Sequence, residues 1–134
     1  MRKAEQRLWD TMRRNKPPGI YFDRVENYVG EGMPDVYVRM RQRATWVELK
    51  APTAPARDGT RLLGDQGMRR GQINWHLQSA SLNLATYVLI RDSLKRLWLV
   101  EGRHADSMNE LTVAELDDVS VAGTWPEIFE VLKR

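Results

Sequence analysis

The sequence predicts an α/β domain in which a mixed β-sheet is flanked by helices. Apolar residues recur at helical spacing near the amino terminus, and three short runs rich in β-branched and aromatic residues follow. A second helical pattern then precedes two further strand-like runs. A Thr124/Glu127 capping box predicts a last helix. The resulting order, α-β-β-β-α-β-β-α, is typical of a mixed sheet covered by helices.

The first half of the chain contains one predicted helix and three predicted strands. The helix spans residues 3–15, where Leu8, Trp9 and Met12 share one face, and Pro17 and Pro18 end it. The strands span residues 20–26, 33–40 and 45–50, and the last two are joined by a turn around position 42. This part of the chain therefore predicts a helix followed by a β-meander.

The second half begins with a long basic loop over residues 51–68. Its residues 53–68 are expected to be mobile and to close over, or thread into, a ligand. A helix is predicted over residues 69–83, with an apolar stripe formed by Ile73, Leu77, Ala80 and Leu84. Strands follow at 85–91 and 95–101. No element is predicted over 102–123, and the last helix is placed after Thr124.

Length and composition restrict the function classes. The 134 residues predict one domain, with a core over about residues 3–101 and an acidic extension over 102–134. The chain has no cysteine, which excludes disulfides, thiolate zinc sites and cysteine nucleophiles. The two histidines, His76 and His104, are too far apart in sequence for a helical metal motif. No apolar run is long enough for a membrane span, and the amino terminus lacks a secretion signal.

Charge is distributed unevenly along the chain. Residues 1–16 carry six basic and two acidic side chains, and residues 39–70 carry eight basic and three acidic ones. Residues 92–134 instead carry five basic and nine acidic side chains. The first two thirds therefore present a candidate surface for a polyanion. The competing interpretation is that these arginines and lysines only solvate helices and loops.

Two carboxylates and one ammonium group are predicted to meet on one sheet face. In an antiparallel hairpin with its turn at Gln42, Asp35 lies opposite positions 48–50, and alternation puts Glu48 and Lys50 on the same face. Crowded carboxylates favour a divalent cation, and oxygen ligands without cysteine indicate Mg²⁺ or Mn²⁺. The competing interpretation is a solvated cross-strand ion pair, which contributes less than ~1 kcal/mol.

Pro34-Asp35 followed by Glu48-Leu49-Lys50 resembles the motif of the PD-(D/E)XK nuclease superfamily, and the element order over residues 3–91 resembles that superfamily's core. Within it, the chain looks like the small stand-alone phage nucleases of the VRR-NUC and Holliday-junction-resolvase type. The resemblance implies a restriction-endonuclease-like αβββαβ fold. It also implies a Mg²⁺-dependent DNA endonuclease for which Mn²⁺ substitutes, acting in the cytoplasm of a bacterial host if the protein is phage-encoded.

The resemblance assigns roles position by position. Asp35 and Glu48 would ligate the metal, together with the backbone carbonyl of Leu49. Lys50 would position the attacking water, and Gln72 would orient Lys50, the water or a phosphate. A further acidic ligand would be Glu5 or Glu26, and the sequence does not decide between them. Glu5 also fits a favourable carboxylate in a first helical turn. His76 is a candidate acid near the leaving group, although packing is the favoured interpretation.

The predicted substrate is DNA, duplex or branched, recognised by backbone and shape. Symmetric cuts across a Holliday junction need two active sites, which predicts a homodimer. The sequence does not define the dimer surface, for which the apolar parts of the last helix and of strand 95–100 are candidates. The alternatives are a nonspecific or flap- or end-directed nuclease, a catalytically inactive nucleic-acid-binding module, and a structural or inhibitory protein whose acidic last third docks a basic partner surface. The candidate DNA-binding residues are Arg13, Arg14, Lys16, Arg57, Arg61, Arg69 and Arg70.

Overall fold

The computed structural model describes residues 3–25 and 32–134. Within these ranges, four α-helices surround five strands. In chain order the elements are α1 (Lys3–Arg14), β1 (Tyr21–Arg24), β2 (Val36–Met40), β3 (Arg43–Lys50), α2 (Arg70–Ser81), β4 (Tyr87–Arg91), β5 (Leu97–Glu101), α3 (Val113–Val119) and α4 (Trp125–Leu132).

The strands form one sheet in the order β1-β2-β3-β4-β5. The neighbours β3 and β4 are parallel and are connected through α2, whereas the other three pairs are antiparallel. A parallel pair needs such a crossover because its two strands begin at the same sheet edge. The predicted mixed sheet with flanking helices and a carboxyl-terminal helix is confirmed.

The β2–β3 hairpin sets the position of the candidate carboxylates. It turns at Gln42, which has a left-handed φ of 62°. Its register pairs Val36 with Val47 and Met40 with Arg43. Asp35 directly precedes β2 and therefore lies next to Glu48, as the hairpin pattern predicts.

The two sheet faces pack against two hydrophobic clusters. The first contains alternate β2 and β3 residues together with apolar side chains of α1 and α4. The second contains residues of β4, β5, α3 and the loop before α2. Because side chains alternate along β3, Val47 and Leu49 enter the first cluster, and Glu48 and Lys50 lie on the opposite face.

The apolar stripe predicted on α2 is wrong. The buried side chains of this helix are polar, Gln72 and His76, while Ile73 is only half-buried. The helix ends at Ser81, and Leu84 beyond it is 58% exposed. The physical reason is that α2 covers the polar face of β3, so its inward face carries hydrogen-bonding groups.

The segment after residue 101 contributes to both clusters. The helix α3, which the sequence analysis did not predict, begins with a capping box formed by Thr112 and Glu115. Leu116 of α3 is buried in the second cluster, and Ile128 and Leu132 of α4 are buried in the first. The apolar side of α4 is therefore covered within the chain.

The predicted dimer surface on α4 and β5 is accordingly wrong. Leu99 and Val100 of β5 are fully buried, and the Leu99 backbone pairs with the segment around Ala122.

Within the described ranges, no helix is long and apolar enough to cross a membrane.

The basic loop 51–68 is partly anchored. Leu62, Leu63 and Met68 are buried in the second cluster. The side chain of Asn109 accepts from the Met68 N–H at 2.7 Å and donates to the Met68 carbonyl at 2.8 Å. The longest exposed stretch of the loop is residues 56–61. Movement of the loop remains a prediction.

Gly32 fixes the segment that leads into Asp35. It has a left-handed φ of 90°, and a Cβ atom there would overlap the backbone carbonyl of Gly71 at the start of α2. We expect Gly32→Ala to lower the free energy of unfolding, measured by urea titration, by about 1–3 kcal/mol or more. The matched control is Gly59→Ala, because Gly59 has open space around it. Equal stability of the two variants would contradict this close packing.

Candidate active site

Asp35 is held at the mouth of the candidate site by backbone groups on two sides. Its Oδ2 atom accepts from the Leu49 N–H at 2.9 Å, and its backbone carbonyl accepts from the Val25 N–H at 2.8 Å. Pro34, directly before it, is buried. The side chain remains 24% exposed. Asp35 is therefore fixed in position and accessible to a ligand.

Glu48 is almost completely buried, with 1% of its surface exposed. Its Oε2 atom accepts from Gln72 Nε2 at 3.1 Å, but its Oε1 atom is buried without a hydrogen-bond partner among the described residues. Burial raises the pKa of Glu48 well above its ordinary value, and the Asp35 carboxylate beside it raises that pKa further. Lys50 opposes these effects.

Lys50 and Gln72 complete a buried chain of contacts. Lys50 Nζ donates to Gln72 Oε1 at 3.0 Å, and the same amide oxygen accepts from the Arg69 N–H at 2.9 Å. Gln72 thus joins Lys50 and Glu48 to the first turn of α2. The structure brings together Asp35, Glu48, Lys50 and Gln72, as the sequence predicts.

The donor set fits a divalent cation. Glu48 Oε1 is a buried carboxylate oxygen without a partner, beside a second carboxylate, and hard oxygen donors suit Mg²⁺. Glu5 on α1 is close enough for its charge to raise the pKa of Glu48. In the described part of the chain, no group of three or more His, Asp or Glu side chains is arranged for a metal ion. Glu26 lies outside the described residues.

Arg24 was missed by the sequence analysis. Its Nη1 atom lies 3.9 Å from Asp35 Oδ1 and is buried without a hydrogen-bond partner among the described residues. The guanidinium also lies 5.8 Å from the centre of the Trp9 ring. No local sequence pattern places it there, because its position depends on the pairing of Arg24 with Val36, which puts the end of β1 beside Asp35. Arg24 adds a positive group at the mouth of the site.

His76 lies on the same buried side of α2 as Gln72, one turn later. It is fully buried, and its Nδ1 atom lies 2.7 Å from Thr86 Oγ1. Burial lowers the pKa of His76 to about 4, with a smaller effect from Lys50. The imidazole is therefore neutral near pH 7, which supports the packing interpretation over a proton-donating role.

The burial of His76 predicts a pH dependence of stability. Its folded pKa of about 4 is below the ordinary 6.5, so the unfolded chain binds more protons and stability falls as pH drops below 6.5. Between pH 7.5 and pH 5, wild type should lose about 2 kcal/mol through this group, and His76→Gln should lack that loss. His104→Gln is the control. Urea titrations at both pH values measure the effect, and parallel losses in all three proteins would contradict it.

The candidate DNA-binding residues are scattered. Several of them have partners: Arg13 pairs with Asp10, Arg61 pairs with Glu110 at 2.6 Å, and Lys16 donates to the Ile20 carbonyl at 2.7 Å. The side chain of Arg14 donates to Thr11 at 3.1 Å. The candidates that are exposed and have no ion pair in the described part of the chain are Arg14, Arg57, Arg69 and Arg70. Arg69 and Arg70 are the nearest to the site in sequence, because they directly precede Gln72.

Neither a protein-family model nor a curated protein matches the chain. Among solved structures, the chain is similar to Hjc of Archaeoglobus fulgidus, described as a Holliday junction resolvase from an archaeal hyperthermophile. The two share 13% sequence identity with a TM-score of 0.61. The match covers 97% of this chain and 98% of that chain. This likeness confirms the restriction-endonuclease-like fold.

Proposed function

We propose that this protein is a metal-dependent DNA endonuclease that hydrolyses phosphodiester bonds, with a preference for branched DNA. The observation that carries the proposal is the Asp35–Glu48–Lys50–Gln72 cluster on one face of β3. Burying an unpaired carboxylate oxygen and an ammonium group costs free energy. A chemical role gives such an arrangement a reason to exist, whereas a purely structural face would be more stable if it were apolar.

The residues that would hold a divalent cation are Asp35, Glu48 and the Leu49 carbonyl, with Glu5 or Glu26 as a further ligand. A bound Mg²⁺ or Mn²⁺ would lower the pKa of an attacking water and neutralise charge on the scissile phosphate. Glu48 must be ionised to act as a ligand. Its raised pKa therefore couples metal binding to the release of a proton.

The cationic side chains have separate roles in this proposal. Lys50, oriented by Gln72, holds the attacking water and stabilises negative charge that develops on the phosphate. Arg24, at the mouth beside Asp35, binds a non-bridging phosphate oxygen. Gln72 acts as a positioning residue, because both ends of its amide are occupied by Glu48 and Lys50.

Branched DNA is the proposed substrate because a Holliday junction resolvase shares this fold over nearly its whole length. A homodimer would supply the second active site for paired cuts, through a surface other than the buried side of α4. A nonspecific or flap- or end-directed nuclease is the alternative within the same chemistry. The VRR-NUC subgroup, a phage source and the bacterial cytoplasm remain predictions from the sequence.

The proposal is tested by incubating the wild-type protein with a four-way junction, a linear duplex, a flap and a single strand. Each substrate is tested with Mg²⁺, Mn²⁺ or EDTA, and products are separated on denaturing gels. We expect cuts in the junction arms that require a metal ion and leave a 5′-phosphate. Equal cleavage of every substrate would retain the nuclease and remove junction preference. Binding without cleavage under any metal would indicate an inactive binding module.

A further inference from the structure

A basic groove lies between α1 and the carboxyl ends of β3 and β4. We call it the α1 groove; its volume is about 470 Å³. One wall is formed by α1, including Arg7 and Arg14, and the other by the β4–β5 turn, including Arg91 and Lys95. Pro52, which follows β3, also lines the groove. This volume is within the range of sites that hold small ligands.

The α1 groove is positive because its acidic side chains are already neutralised. Asp10 pairs with Arg13, and the fully buried carboxylate of Asp92 pairs with Arg96 at 2.7 Å. Asp92 also accepts from the backbone N–H groups of Leu94 and Arg96. By contrast, the four groove cations have no ion pair among the residues that the structure describes. An anion entering the groove would meet their uncompensated charge.

The α1 groove and the candidate active site share one edge of the sheet. Lys50 and Ile90 are register partners in the parallel strands β3 and β4, so their side chains lie on the same face. Arg91 follows Ile90 and therefore lies on the opposite face, towards α1. Lys50 and the groove thus lie on two sides of the edge where β3 and β4 end. A polyanion bound across this edge would contact both.

We propose that the α1 groove binds the phosphodiester backbone of the DNA segment adjacent to the scissile phosphate. This inference rests on the proposed nuclease function. Three of the four cations are arginines, whose planar guanidinium groups bind phosphate oxygens in pairs. The groove supplies affinity without reading bases, because backbone contacts carry no sequence information directly.

The test compares two double variants of equal net charge. Arg7→Gln with Arg91→Gln removes one cation from each wall of the groove. The control, Arg41→Gln with Arg134→Gln, removes two exposed cations outside the groove. Junction and duplex affinities are measured by fluorescence anisotropy across a salt series in EDTA, where metal-dependent cleavage does not occur. We expect weaker binding by the groove variant and a salt slope reduced by about 2, with the control close to wild type.

A second groove variant protects the test against a folding defect. Arg14→Gln with Lys95→Asn removes the other two cations, and Asn suits position 95 because Lys95 has a left-handed φ of 66°. Melting temperatures identify any misfolded protein. We expect this variant to show the same reduction of the salt slope.

Several results would overturn the inference. The inference is overturned if both groove variants bind DNA with wild-type affinity. It is also overturned if the control variant loses as much DNA affinity as the groove variants. Inorganic phosphate or a mononucleotide can also be tested as a competitor of the labelled DNA. If either displaces the DNA as effectively as an oligonucleotide at equal phosphate concentration, the groove is a site for free anions instead. Failure of the nuclease function is seen separately: it would be an absence of metal-dependent cleavage while the groove variants still lose affinity.

Discussion

Asp35→Asn should abolish cleavage of DNA while leaving the fold and DNA binding in place. The carboxylate is replaced by an amide of the same size, which is a poor ligand for a hard cation. The carbonyl oxygen of the new amide can still accept the Leu49 N–H bond, so the hairpin is preserved. We expect the cleavage rate to fall by about 10³-fold or more, in the range found when groups that stabilise transition-state charge are removed. Single-turnover cleavage of a four-way junction measures the rate.

The matched control is Asp23→Asn. Asp23 is an exposed β1 carboxylate that pairs with Arg39 at 2.7 Å. This control variant should cleave at the wild-type rate. Asp35→Asn itself removes a negative charge from the mouth of the site, so its DNA affinity should be equal to or higher than that of wild type. Near-wild-type cleavage by Asp35→Asn would contradict the assignment, whereas loss of both cleavage and folding would be detected by circular dichroism.

Glu48→Gln should separate stability from activity. In wild type the folded pKa of Glu48 is raised above the ordinary 4.5, so ionising this carboxyl opposes folding and stability is lost as pH rises from 4.5 through the folded pKa. An uncharged side chain of the same size removes that cost and keeps an oxygen for Gln72 Nε2. We expect the free energy of unfolding of Glu48→Gln at pH 8 to exceed that of wild type by about 0.5–2 kcal/mol. We expect its cleavage rate to fall by about 10³-fold or more.

The gain should shrink towards pH 4.5, where the unfolded carboxyl also becomes protonated. Urea titrations of wild type and Glu48→Gln at pH 4.5 and pH 8 measure this difference, and the effect of His76 cancels because both proteins contain it. Glu101→Gln, on a partly exposed β5 residue, is the control. A destabilised Glu48→Gln protein at pH 8 would show that the ionised carboxylate stabilises the fold.

The hairpin and its carboxylates could be predicted because they depend on local patterns. A two-residue turn at Gln42 fixes the register, and alternation along β3 then separates Val47 and Leu49 from Glu48 and Lys50. The position of Gln72 came from the family resemblance. Helical periodicity alone selected an apolar stripe and missed that α2 turns polar residues inward.

Other features depend on contacts between distant segments, which local patterns do not show. Arg24 reaches Asp35 only because β1 pairs with β2 in one particular register. The α1 groove exists because a helix near the amino terminus packs beside a turn about 80 residues later in sequence. The dimer surface was wrongly placed because apolar α4 and β5 residues are covered by the chain itself. The α3 capping box, by contrast, is a local pattern that is present in the sequence, so this helix could have been predicted.

The central claim is that Asp35 and Glu48 together hold a divalent cation that supports DNA hydrolysis. The most direct measurement is a Mn²⁺ titration of the metal-free protein, with free Mn²⁺ followed by electron paramagnetic resonance. We expect saturable binding by wild type that Mg²⁺ displaces, and strongly weakened binding by Asp35→Asn and Glu48→Gln. Equal Mn²⁺ binding by all three proteins, or no saturable binding by wild type, would contradict the claim.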